Sequence, residues 1–293
     1  MSTVVLLAIT GLGLGAMYFL IASGLSLIYG LMGILNFAHG AFLTVAAYAT
    51  WFAESKLGGV PLLPRFLLAA LVGLAAGGLF AGLVELVLIR PLYGRHIEQV
   101  LVTVGLGLAS VALVTAIWGN DARVVAAPGW LGDTTGVLGA SIPNDRWVEI
   151  VTAGVVLVAL NAFLRRTRYG LIIRAGVENR AMVTALGIDV RRAFTLVFAI
   201  GGVAAAVAAV LSTVYFGTVD PQRGTSLLIF AFIVVVIGGL GSLRGTAVAA
   251  VVVGLLQQYA NYYASSGLGD LSVVLLLGLV LLIRPRGLSG SFA

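Results

Sequence analysis

Few residues in this 293-residue chain have side chains suited to chemistry, and they stand in four places. The first is "LMGILNFAHGAFL", residues 31–43, where Asn36 and His39 interrupt a small, apolar stretch between Gly33 and Gly40. An Asn at a helix start accepts an orphan backbone N–H. Asn36 is therefore read as capping a helix that begins at Phe37, with His39 one turn later on nearly the same face. His39 is read chiefly as a structural hydrogen-bonding residue, with a protonating switch as the alternative. The second place is Glu85, five residues before Arg90; near the end of an apolar run this is most simply a local ion pair. The third is Gln257 with Asn261, spaced i, i+4 on one helix face, either lining a path or bonding a neighbouring helix. The fourth is Glu178, at the start of "ENRAMVTALGI", where a carboxylate favours a helix N-terminus through the macrodipole.

Much chemistry is missing. Without cysteine there is no disulfide, thiol nucleophile or thiolate-bound metal. Two histidines and no cysteine support no metal centre and no other cofactor. A phosphate-binding loop needs G-x-x-x-x-G-K-[ST], and the one lysine is Lys56 in "ESKLGG". Glycines 239, 241 and 245 of "GGLGSLRG" do not fit G-x-G-x-x-G. Intramembrane acids are too few for a proton relay, and neither a filter nor a charged ring suggests a conductive pore. No nucleophile–base pair can be named, so the chain is not read as an enzyme. If it pumps, its energy comes from another chain.

The elements that must position these residues are helices in a bilayer. Hydrophobic residues make up 60% of the chain and charged ones 10%, against about 25% charged in a soluble domain. Mean hydropathy is +1.12. Runs 66–89, 98–118, 147–164, 193–216 and 268–283 are nearly free of charge, and most approach the ~20 residues that span a bilayer. The alternation of barrel strands is absent. The fold class is an all-α polytopic membrane protein of about 8–9 transmembrane helices, forming one domain over 1–293. Met1-Ser2-Thr3 lacks a basic leader region, so the first segment is expected to stay as an anchor. Glycines are abundant, 39 in all; pairs such as Gly73/Gly77 and Gly78/Gly82 suit close helix packing.

Charge orients the chain. Segment 165–192 carries seven arginines against Glu178 and Asp189, which makes it a cytoplasmic loop. Counting spans outward from it puts 12 basic residues inside and five outside: Lys56, Arg65, Arg123, Arg146 and Arg223. The C-terminus is then cytoplasmic, the N-terminus external, and 119–146 an extracytoplasmic loop. The net charge of +6 serves orientation and implies no nucleic acid.

Two apolar runs are interrupted by glycine. Residues 24–53 as one helix would reach about 45 Å, longer than the ~30 Å hydrocarbon core, and glycines 30, 33 and 40 offer the break. The second run is "VVVIGGLGSLRGTAVAAVVVGLL", 234–256, with Gly239 and Gly241 at its centre. Paired broken segments in two halves point to a transport path; the plainer alternative is two tight turns between spans. The basic segment reads as a short amphipathic element ending at Gly187, able to pass on a partner's motion or to lie on anionic lipid.

These stretches together resemble the membrane permeases of ABC importers for branched-chain amino acids. "GLSLIYGLMGILNFAHGAF", "ELVLIRPLYGR", "RTRYGLIIRAGVENRAMVTALGIDVRRAFTLVFAIGG", "VVVIGGLGSLRGT" and "RPRGL" are similar to that family's motifs and follow its order. The resemblance implies a bacterial inner-membrane protein. It implies as partners a second homologous permease, two cytoplasmic ATP-binding subunits, an external substrate-binding protein and a small-molecule substrate. It places Glu178, Asn179, Ala181, Ala185, Leu186 and Gly187 in the ATPase-coupling region. It places Asn36, Phe37, His39 and Gly40 in a central broken helix on the translocation path, with Gly239 and Gly241 in the second. The chain departs from many amino-acid members where they have Lys-Ala-Phe and it has Phe230-Ala231-Phe232. Urea or short amides are the alternative substrates within the family. An ion-coupled secondary transporter is the competing reading outside it.

Overall fold

A computed structural model describes residues 2–33, 35–178, 182–183, 190–265 and 267–289. It is helical, as expected. In chain order the helices are α1 (Ser2–Met32), α2 (His39–Lys56), α3 (Leu62–Val84), α4 (His96–Trp118), α5 (Gly129–Gly132), α6 (Asn144–Arg166), α7 (Arg168–Glu178), α8 (Val190–Phe216), α9 (Arg223–Gly238), α10 (Leu243–Tyr263) and α11 (Leu268–Ile283). Helix α3 runs on through a π turn, Glu85–Ile89, and a 3-10 turn, Arg90–Leu92. Two short antiparallel strand pairs accompany the helices: β1 (Arg123–Val124) with β4 (Thr218–Val219), and the hairpin of β2 (Thr134–Val137) with β3 (Ala140–Pro143).

Among the described residues, five helices are long and apolar enough to cross a membrane: α1, α3 with its extension, α4, α6 and α8. The pair α9 and α10 passes the same test together, bent by 118° at its break. That is fewer than the expected 8–9. The physical reasons are length and polarity: α9 and α11 have 16 residues each, short of the ~20 a perpendicular span uses, and α2, with 18, carries His39, Glu54 and Lys56 at its ends.

Helix α1 is the axis of the fold. It packs against α6, α8, α9 and α10, and from Ala16 to Ile28 it is almost wholly buried. An apolar helix buried on all sides needs small residues where neighbours cross. A Cβ on Gly24 would stand 2.5 Å from the Gly201 carbonyl oxygen of α8, and one on Gly15 2.7 Å from that of Ala250 on α10. The glycines of α3 do the same work. Gly73 and Gly77 meet Ala46 of α2, while Gly77 and Gly78 also meet α8. By contrast α4, α6 and α11 turn rows of Leu and Val outward, as lipid-facing helices do.

The contacts sort the connections into two ends. One end gathers the start of α1, the strand pairs, and the 217–222 connection: Tyr259 donates to the Val4 carbonyl, Gln222 donates to Asn120, and β1 pairs with β4. The other end gathers residues 85–95, the start of α8, and the α9–α10 turn with the tail. The described helices of the basic segment, α7 and the start of α8, and the two strand pairs therefore lie at opposite ends.

Candidate functional site

The first interruption begins where α1 ends. Gly33 takes a left-handed φ of +61° and its N–H bonds the Tyr29 carbonyl at 2.8 Å, the glycine stop that closes many helices. The chain then turns back along α1. Asn36 is fully buried; its Oδ1 accepts the Ala38 N–H at 3.1 Å and its carbonyl accepts the His39 N–H at 3.2 Å. Helix α2 thus starts at His39 with Ala38 at the cap position, two residues later than expected. Asn36 secures the turn before the helix and does not cap it. Its Oδ1 accepts an orphan backbone N–H, as expected, but within the turn that precedes the helix.

His39 is also fully buried, and its Nε2 donates to the Ile21 carbonyl of α1 at 3.0 Å. That donation sets the tautomer, leaving Nδ1 as a lone-pair acceptor. Nδ1 and the Asn36 Nδ2 have no hydrogen-bond partner among the described residues. The break therefore holds one open acceptor and one open donor, a pairing suited to small polar groups or water. Its level is set by contact with Ile21 and Gly24, well inside α1.

The second interruption lies between α9 and α10. Gly239 (φ +97°) and Gly241 (φ +81°) take conformations that side chains disfavour. Ser242 then caps α10, accepting the Gly245 N–H at 3.1 Å. The tail seals the turn: Leu288 N–H bonds the Ile237 carbonyl at 2.8 Å and Ser289 N–H bonds that of Gly238 at 3.1 Å.

The structure brings the two interruptions together. A Cβ on Gly30 would stand 2.9 Å from the Gly241 Cα, and one on Gly40 2.8 Å from the Gly224 carbonyl oxygen at the head of α9. Phe37 and Phe232 rings lie 5.0 Å apart, and Phe230 stacks on Tyr18 at 5.1 Å. The two aromatics of the Phe-Ala-Phe departure are thus packing residues that tie α9 to the break and to α1.

The other candidates resolve into bracing. Glu85, fully buried in the π turn, accepts from Arg90 at 3.3 and 3.4 Å, from Thr195 of α8 at 2.6 Å, and from the Tyr93 hydroxyl. The expected ion pair exists, widened into a link between α3 and α8. Gln257 accepts from Tyr18 at 2.8 Å and donates to Asp270 at 2.6 Å. Asn261 accepts the N–H groups of Gly267 and Gly269. Both bond neighbouring helices and loops, the second of the two readings. Glu178 is the last residue of α7; the helix expected to start there, over "ENRAMVTALGI", lies outside the described residues except for 182–183, which are helical. Asn179, Ala181, Ala185, Leu186 and Gly187 lie outside the described residues.

Three polar groups escaped the sequence reading. Thr195 joins Glu85 across 110 positions, which no local spacing reveals, and Tyr93 joins it from eight residues on. Glu149, buried in α6, accepts from Arg146 at 3.4 and 3.5 Å, and that guanidinium lies 3.5 Å over the Tyr215 ring. Asp220 pairs with Arg223 at 2.7 Å. The last two have i, i+3 signatures legible in the sequence.

A helical membrane protein whose two glycine-interrupted segments pack on one another belongs to the architecture of transport subunits. The comparisons give the particular family: the model described as branched-chain amino acid transport system, permease component, matches residues 7–284, and the chain belongs to that family. It is 31% identical to the high-affinity branched-chain amino acid transport system permease protein LivH of Salmonella typhimurium, over 96% of this chain and 93% of that protein. It is 31% identical to BraD of Pseudomonas aeruginosa, a permease protein of the same description, over 96% and 94%. It is 30% identical to the fructose import permease protein FruF of Bifidobacterium longum, over 85% of this chain and 69% of that one. No solved structure matches the chain.

Proposed function

We propose that the chain is the membrane-spanning subunit of an ATP-driven importer for branched-chain amino acids. The observation that carries this is the family match across 7–284, joined to two interrupted segments in mutual contact. Relatives named for branched-chain amino acids align with 96% of the chain, the fructose permease with 85%, which favours the amino-acid reading over other small polar solutes.

The partners are a second homologous permease, two cytoplasmic ATP-binding subunits and an external substrate-binding protein. The chain lies in the bacterial inner membrane as one domain of eight or nine crossing segments, counting α2, α9, α10 and α11 with the five long helices. The basic segment 165–192 and the C-terminus face the cytoplasm, supported by the 12-to-five split of basic residues. The N-terminus and 119–146 face outward. Glu178, Asn179, Ala181, Ala185, Leu186 and Gly187 receive the motion of the ATPases. Asn36, Phe37, His39, Gly40, Gly239 and Gly241 border the path. ATP-driven closure below moves α7, and with it α6 and α8, against the central α1.

Tagging the chain in its own host, extracting it in mild detergent and identifying what co-purifies tests the assembly. A phosphate-loop ATPase and a second permease are expected. Recovery of the chain alone, active in liposomes without ATP, would overturn the reading. A Glu178→Ala/Gly187→Ala pair should leave the complex assembled and hydrolysing ATP while uptake falls at least tenfold; unchanged uptake removes the coupling assignment.

A further inference from the structure

The end of the bundle opposite the basic segment holds a cleft that the two interruptions do not explain. It lies between α2, α8, the β4 connection and the head of α9, a hollow of about 260 Å³ with open solvent included, of which about 10 Å³ is cavity. Asp220, Arg223, Thr44 and Ser212 supply its polar lining, and Leu43 and Leu227 are among its apolar walls. It adjoins the place where Gly40 of α2 meets Gly224 of α9, so both interrupted segments border it.

Its charged groups are held in a particular way. Arg223 Nη2 lies 2.7 Å from Asp220 Oδ2, and the guanidinium sits 4.0 Å over the Phe216 ring. Arg223 Nε has no acceptor among the described residues. Asp220 Oδ1 is engaged by the Gln222 N–H at 3.2 Å. Both side chains are partly exposed, 31% for Arg223 and 22% for Asp220, so solute at this end can reach them. The enclosed part of the cleft has room for about one water.

We propose that Asp220 and Arg223 form an outer recognition point for the zwitterionic head of an amino acid, which replaces their mutual ion pair. The substrate carboxylate takes the guanidinium fork in place of Asp220, and the substrate ammonium takes the Asp220 carboxylate. Leu43 and Leu227 then face the aliphatic side chain. The physical argument is conservation of pairing. Separating two charges in a partly dry cleft is costly unless each finds a new opposite charge. A zwitterion brings both; a neutral solute brings neither. Arginine suits the task because its planar fork matches a carboxylate in two-point contact. The inference rests on the amino-acid importer reading above and deepens it.

The test uses the whole importer in cells lacking the native copy of this gene, with uptake of labelled leucine as the readout and co-purification with the ATPase as the check on assembly. The double variant D220N/R223M removes both charges and leaves neither unpaired. If the pair only braces the fold, this variant transports like wild type, because replacing both partners of an ion pair is often neutral. The proposal expects an assembled complex with leucine uptake down at least tenfold. It also expects R223K, which keeps the charge and loses the fork, to raise the KM for leucine-loaded binding protein more than it lowers the maximal rate. Wild-type uptake by the double variant, or an R223K defect confined to maximal rate, overturns the proposal. Should the double variant fail to assemble, the R223K kinetics decide alone. Wild-type cells importing no amino acid would instead refute the importer reading, and so the two failures are distinguishable.

Discussion

The two interrupted segments use the same glycine-rich vocabulary and solve the same problem differently. At 33–38 the freed backbone groups lie at the depth of Ile21, and polar side chains settle them: Asn36 accepts an N–H, and His39 ties the new helix to α1. At 239–242 the break lies at the bundle end, and the chain's own tail settles it through backbone bonds from Leu288 and Ser289. Irregular backbone inside a bilayer is tolerated where protein buries it. The deep break therefore carries the buried Asn and His, whereas the terminal break needs glycine, one capping serine and a covering strand of tail. Among the described side chains of the deep break, Asn36 Nδ2 and His39 Nδ1 have no hydrogen-bond partner.

Substitutions sharpen this contrast. The largest effect belongs to Gly24→Val, whose Cβ would meet a backbone carbonyl at 2.5 Å and the His39 ring at 3.0 Å. Overpacking costs about 1–3 kcal/mol, and with rigid backbone opposite the upper end is expected, read as lost monodisperse protein in detergent. Gly278→Val, with nothing within 4 Å, is the control and should leave the protein intact. Next comes His39→Ala, which removes a buried ring and its bond to α1. It should lower stability by about 2 kcal/mol in an unfolding titration, with uptake falling more than stability alone explains. A stop after Arg286 removes two tail bonds and should cost about 1–2 kcal/mol. The smallest effect is Gly33→Ala, with open space at its Cβ but a left-handed φ: about 1 kcal/mol, less for Gly33→Asn. If the tail truncation abolished uptake while His39→Ala did not, the functional ranking of the two breaks would be reversed.

Both breaks were legible in the sequence because the first carries Asn36 and His39 beside its glycines and the second crowds Gly238, Gly239 and Gly241 into four residues. The position of α2 was not. "NFAH" offers Asn36 as a cap, and only the three-dimensional course shows its side chain bonding two residues on, so that the helix starts at His39. The Glu85–Arg90 pair was visible from its spacing, whereas Thr195 joins it across 110 positions, and a long-range hydroxyl leaves no periodic trace. Gln257 was ambiguous for a related reason: the i, i+4 pattern gives a face, and it is Tyr18 and Asp270 that show what the face meets. The short helices explain the span count, since hydropathy registers apolar length and a bend of 118° does not change it.

The most direct test of the account is leucine accumulation in inverted-free proteoliposomes carrying the co-purified complex, with ATP sealed inside and loaded binding protein outside. The account predicts accumulation that needs both and is unaffected by collapsing ion gradients. Accumulation without ATP, abolished by an ionophore, would contradict it.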